Sequence, residues 1–139
     1  MAERHTWSFV LRTRIIRAVA IVDLVLTLPF AFPFAAESLI QLIYRIDAGA
    51  GLGSAPPLGF GPLQIMFVHI MGVLAVLWAI ARIRNPAEDL ARLDALARLV
   101  VAALIIHAIT MGATPLLWMF VATELLGSAA QFSRRRAAA

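Results

Sequence analysis

The sequence predicts an all-α protein, a polytopic membrane four-helix bundle with a short amphipathic interfacial helix between spans 1 and 2. Three observations lead there. Of 139 residues, 62% are hydrophobic and 14% charged, and the mean hydropathy is +0.88. Soluble domains carry about 25% charged residues, so this chain has too few to coat a soluble surface. Between Pro62 and Arg82 lie 19 residues with His69 the only ionisable one. A helix needs about 20 apolar residues to cross the hydrocarbon of a bilayer. Finally, the 12 basic residues are all arginine and gather at the ends of apolar runs, as topology signals do. Length and composition fit one domain over 1–139, and the absence of cysteine excludes disulfides and thiolate chemistry.

Residues 1–14 form a basic, partly amphipathic lead-in, and the first span follows over about 15–33. Pro29 and Pro33 end or kink it, because each removes a backbone donor and crowds the preceding turn. The patch AFPFAAES can mimic a leader cleavage site, but Glu37 and further apolar sequence follow it, and no cleavable leader is expected. Glu37 to Asp47 places Leu39, Ile40, Leu42, Ile43 and Ile46 on one broad face, a pattern for a short helix lying at the interface. A Gly/Pro-rich loop leads to span 2, residues 63–81, with Pro62 in its first turn and Trp78 and Arg82 at its far interface.

Span 3, about 95–112, is predicted to begin as a wet helix capped by Asn85, with Pro86, Glu88 and Asp89 in its first turn. Asp94 and Arg98, four apart, read as a structural pair at the interface. Span 4 covers 115–132 and ends in Arg134, Arg135 and Arg136, followed by an alanine tail. Eleven arginines fall on one side of this arrangement and Arg45 alone on the other. The positive-inside rule then predicts a multi-pass membrane protein with both termini and the central loop cytoplasmic.

Each span carries one deeply placed ionisable residue: Asp23, His69, His107 and Glu124. At a rise of about 1.5 Å per residue, all four lie roughly 8–15 Å from the outer ends of their helices. A shared layer in the outer half of the bundle is therefore expected, with Thr27 and Thr110 beside it. Such groups are costly in hydrocarbon and normally face a partner or a cavity. Several chemistries fit the layer. A small hydrophobic ligand, quinone-like or lipid-like, fits an apolar cavity with a few polar anchors. Two histidines on separate helices suit axial ligation of haem b, and with two carboxylates they suit a transition metal. A proton relay uses the same groups. Cross-helix pairing in a non-catalytic accessory or structural subunit needs no ligand at all. If any residues hold a metal, they are His69 and His107.

Other classes fall away. No serine has a histidine and acid at its depth, so no catalytic residue is assigned. GAGLG follows no strand and opens no βαβ unit. The basic clusters lack an aromatic platform, which argues against nucleic acid. Expected partners are membrane lipids, a hydrophobic small molecule, and further copies of the chain or a larger membrane complex.

The basic N-terminus, proline-broken first span, amphipathic outer segment, three closely spaced spans and basic tail together resemble the DoxX-like family of small four-helix bacterial inner-membrane proteins, over roughly Arg14 to Arg136. The resemblance implies that family's four-helix layout and a redox- or stress-associated role, which favours a quinone-type ligand. It transfers no site residue.

Overall fold

The first helix outlasts its lead-in. In the computed structural model, which describes residues 2–54 and 59–132 with side chains from Arg12 onward, α1 runs over Ala2–Thr27. A 3-10 turn, Leu28–Ala31, follows, and α2 covers Ala35–Gly49. Then come α3, Pro62–Arg84, and α4, Glu88–Thr110. A second 3-10 turn at Pro115–Leu117 leads into α5, Trp118–Phe132. Arg134 to Arg136, the alanine tail and part of the Gly/Pro loop lie outside the described residues.

All described elements are helical. Two of them, α3 and α4, are long and apolar enough to cross a membrane. The count rises to three if α1 with its turn and α2 form one broken span, bent by 104°. The bend sits where Pro29 and Pro33 place it. Phe34 takes the left-handed conformation, φ 67°, immediately before α2.

One expected start needs correcting. Asn85 does not cap α4; its N–H closes α3 on the carbonyl of Ala81 at 2.8 Å, and Ala87 stands at the α4 N-cap. Pro86 keeps the preceding Asn85 out of helical geometry, which ends α3 there, and α4 starts two residues later than the cap pattern implies. The acids still fall in the first turn of α4, where Glu88 also pairs with Arg12 of α1 at 2.6 Å.

The helices pack as two antiparallel pairs, α1 with α3 and α4 with α5, joined along α1 and α5. The interior is unlike that of a water-soluble bundle. Its buried apolar residues are chiefly small, Ala20, Ala79, Ala91, Ala95 and Ala102, beside buried Arg82, Asp94, Arg98 and Gln131. The large apolar side chains point outward: Leu63, Phe67, Met71, Leu74, Val100 and Leu104 are all exposed. Water would penalise that arrangement, whereas hydrocarbon accepts the outer face and small residues let helix backbones approach. Gly72 shows how close the approach is. A Cβ there would lie 2.3 Å from the Phe30 carbonyl carbon, so only glycine lets α3 pack on the 3-10 turn.

Candidate functional site

Small side chains on α4 and α5 leave room for charge. Arg98 is 6% exposed, Asp94 4% and Arg82 1%, and together they centre a network reaching four helices. Asp94 Oδ2 accepts from Arg82 Nη1 at 2.6 Å, Arg98 Nε at 2.8 Å and Gln131 Nε2 at 2.6 Å. Its Oδ1 accepts from the Trp78 indole N–H at 2.7 Å. Asp23 Oδ2 accepts from Arg82 Nη2 at 2.5 Å and also from Arg98 Nη2. Arg98 Nη1 donates to Glu124 Oε2 at 3.1 Å. Each guanidinium thus bridges two or three carboxylates, using the fixed fork that Arg offers and Lys does not. Arg82 Nε and Gln131 Oε1 have no hydrogen-bond partner among the described residues.

The sequence pairs Asp94 with Arg98, and that pair forms; what the sequence does not reveal is that both, with Arg82, are buried between helices rather than facing outward. Hydropathy cuts a span where charge begins, so Arg82 was placed just beyond span 2 and Asp94 just before span 3. A legible signal was present nonetheless. Ala91, Asp94, Ala95, Arg98 and Ala102 recur at helical spacing on one face of α4, and all five are buried. Trp78 likewise has an inward bond, and its ring lies 5.9 Å from Arg82 Cζ.

The structure brings together two of the four expected layer residues. Asp23 and Glu124 meet through Arg98 rather than through a histidine. His69 goes elsewhere: its Nδ1 is 3.0 Å from the Phe30 carbonyl, and its Nε2 is 4.0 Å from Glu37 Oε1. A carbonyl only accepts, so Nδ1 carries the proton. The carbonyl is short of a donor because residue 33, whose N–H a continued 3-10 turn would use, is proline. His107 is exposed, and the Thr110 hydroxyl donates back to the His107 carbonyl at 2.7 Å, so that stripe faces outward. Equal distance along each helix fixed depth but not rotation about the axis. No group of three or more His, Cys, Asp or Glu residues among those described is placed to hold a metal ion.

Above the network lies a cavity of about 500 Å³. Asp23, Thr27 and Phe30 line it from α1 and its turn, Ile40 and Tyr44 from α2, Val101 and Ile105 from α4, and Phe120 and Glu124 from α5. Phe60 and Thr114 are also in its wall. Neither histidine lines it. Thr27 spends its hydroxyl proton on the Asp23 carbonyl at 2.8 Å. Thr114 donates to Asp47 Oδ2, and Asp47 Oδ1 accepts the Ser54 N–H at 3.1 Å. This contact fastens the end of α2 to the α4–α5 connection. A second cavity of about 510 Å³, lined by Glu37, Gln41 and Arg45, shares Ile40, Tyr44 and Phe60 with the first.

Comparison with protein-family models, curated proteins and solved structures finds no match. Function is therefore argued from the site.

Proposed function

We propose that this is an inner-membrane protein that binds a small hydrophobic molecule within its helix bundle. The observation that carries the reading is the cavity between α1, α2, α4 and α5, apolar along its walls and carboxylate-bearing at one end. Ligand sites are typically concave, mostly apolar and supplied with a few placed polar groups. A quinone-like or lipid-like molecule is the starting class, and the DoxX-like layout supports a redox-associated setting. In this reading four segments cross the membrane, α5 with its preceding turn serving as the last. Both termini are cytoplasmic. Taking the paired Arg82 and Arg98 out of the arginine count leaves Arg45 still alone on the far side, so the asymmetry supports the orientation.

Native mass spectrometry with an absorption spectrum of gently purified protein tests the binding. Organic mass retained by the wild type and lost from Ile105→Trp, which fills the cavity, is the expected result. A wild type that carries no mass and accepts none overturns it. The cysteine-free chain makes single-cysteine labelling from either side a direct test of orientation.

A second reading rests on the network itself. Its many charge-assisted bonds suit a non-catalytic accessory subunit whose buried ions fix helix register. That reading predicts a stable, empty bundle indifferent to cavity-filling substitutions.

A further inference from the structure

The cavity's chemistry narrows the ligand, given the binding role proposed above. Its two carboxylates belong to a network in which three acids, Asp23, Asp94 and Glu124, face two guanidiniums, Arg82 and Arg98. One formal negative charge is left over. The side chain holding it least firmly is Glu124, which has one contact, at 3.1 Å through Oε2, and whose Oε1 makes no hydrogen bond among the described residues. Glu124 lines the cavity, and no arginine or histidine does.

Donors are as scarce there as acceptors are plentiful. Both lining threonines have given their protons to protein oxygens. A quinone presents carbonyl oxygens and would find only the Tyr44 hydroxyl. The other polar side chains lining it are the two threonines, already committed as donors, and the carboxylates of Asp23 and Glu124, which welcome a cation. Four aromatic rings, Phe30, Tyr44, Phe60 and Phe120, line the same space. Ring faces attract cations, most strongly where water is excluded.

We infer that the cavity is a site for a lipophilic cation, an amine, quaternary ammonium or phosphonium with an apolar body, whose charge sits beside Glu124 among the aromatic rings. Ile40, Tyr44 and Phe60 line both this cavity and its neighbour beside Glu37.

Tetraphenylphosphonium and tetraphenylborate have the same shape and opposite charge, so they test the inference directly. Calorimetric titration of the purified full chain in a neutral detergent is expected to show saturable phosphonium binding and no borate binding. Glu124→Gln should weaken phosphonium binding by about tenfold or more, the scale of one lost partly desolvated charge contact. Phe120→Leu, which leaves the ion network untouched, should weaken it by several-fold. A single symmetric elution peak with a wild-type unfolding temperature establishes that each variant is folded. Should Glu124→Gln fail that standard, Phe120→Leu and the borate comparison decide the matter. Borate or a short-chain ubiquinone binding as well as the phosphonium overturns the cation inference and leaves ligand binding standing. Ile105→Trp blocking none of the probes overturns both.

Discussion

Arg98 of α4 lies against Gly127 of α5 so closely that a Cβ on residue 127 would sit 2.6 Å from Nη1 and 2.9 Å from Cζ. The glycine is the socket in which the guanidinium turns toward Asp23, Asp94 and Glu124 at once. Ser128, next to it, ties α5 to α4 by donating to the Ala95 carbonyl at 2.9 Å. Gly127→Ala should therefore push Arg98 off its carboxylates. The expected loss is about 1–3 kcal/mol, the usual cost of overpacking, read from denaturant unfolding in detergent. The Ser128→Ala change, which removes a bond without adding volume, should cost less, about 1 kcal/mol.

Arg98 itself is the larger lever. Arg98→Met removes the one group that touches all three acids, leaving charges buried without compensation. Breaking such a pair costs about 3–5 kcal/mol, far more than its net contribution when intact. The same unfolding measurement should show Arg98→Met combined with Glu124→Gln to be more stable than Arg98→Met alone. Glu124, whose one hydrogen bond among the described residues comes from Arg98, is the charge that the single change orphans, whereas Asp94 keeps Arg82, Gln131 and Trp78. Additive losses would mean Arg98 and Glu124 are energetically independent despite their 3.1 Å contact.

The all-helical class and most helix positions were legible because hydrophobic length and proline position are local signals. The run after Pro62 became α3, the proline pair broke the first helix, and the segment Glu37–Asp47 with its one broad apolar face became α2. The candidate site was legible only in part. Asp23 and Glu124 stood out as isolated acids in apolar runs, and both line the cavity. Arg82 and Asp94 were hidden because they stand at span ends, where charge is ordinary. His69 and His107 drew attention for their rarity, yet a lone histidine has a local use that composition does not reveal. Rotation about each helix decided the difference.

His69 has such a use at the proline break. Its Nδ1–H supplies the donor that Pro33 denies to the Phe30 carbonyl. His69→Phe keeps the ring volume and should lose about 1–2 kcal/mol by leaving that carbonyl unsatisfied. Pro33→Ala restores an N–H at residue 33, and His69→Phe should cost less in that background. The double-mutant cycle in thermal unfolding checks this, and a coupling near zero would show that the histidine and the proline do not share the carbonyl.

Acidification should act at the opposite end of α2. Asp47 is 1% exposed, and the hydroxyl of Thr114, aided by the bonds from Ser54, holds its carboxyl below the usual carboxylate range. A depressed carboxyl stabilises the fold fully above its unfolded value, near pH 4, and the contribution fades as pH falls through the lower folded value. The attachment of α2 to the α4–α5 connection should therefore persist through neutral and mildly acidic pH and loosen only in strong acid. Hydrogen exchange at the Ser54 and Leu116 amides reports it, since Ser54 bonds to Asp47 and Leu116 to Thr114 Oγ1. Thr114→Val should speed exchange at both amides already at neutral pH, because it removes the hydroxyl donor while preserving shape. It should also raise the pH at which the Ser54 amide begins to open, toward the ordinary carboxylate value. If instead the wild-type amides open between pH 5 and 7, a group other than Asp47 controls this end of the cavity.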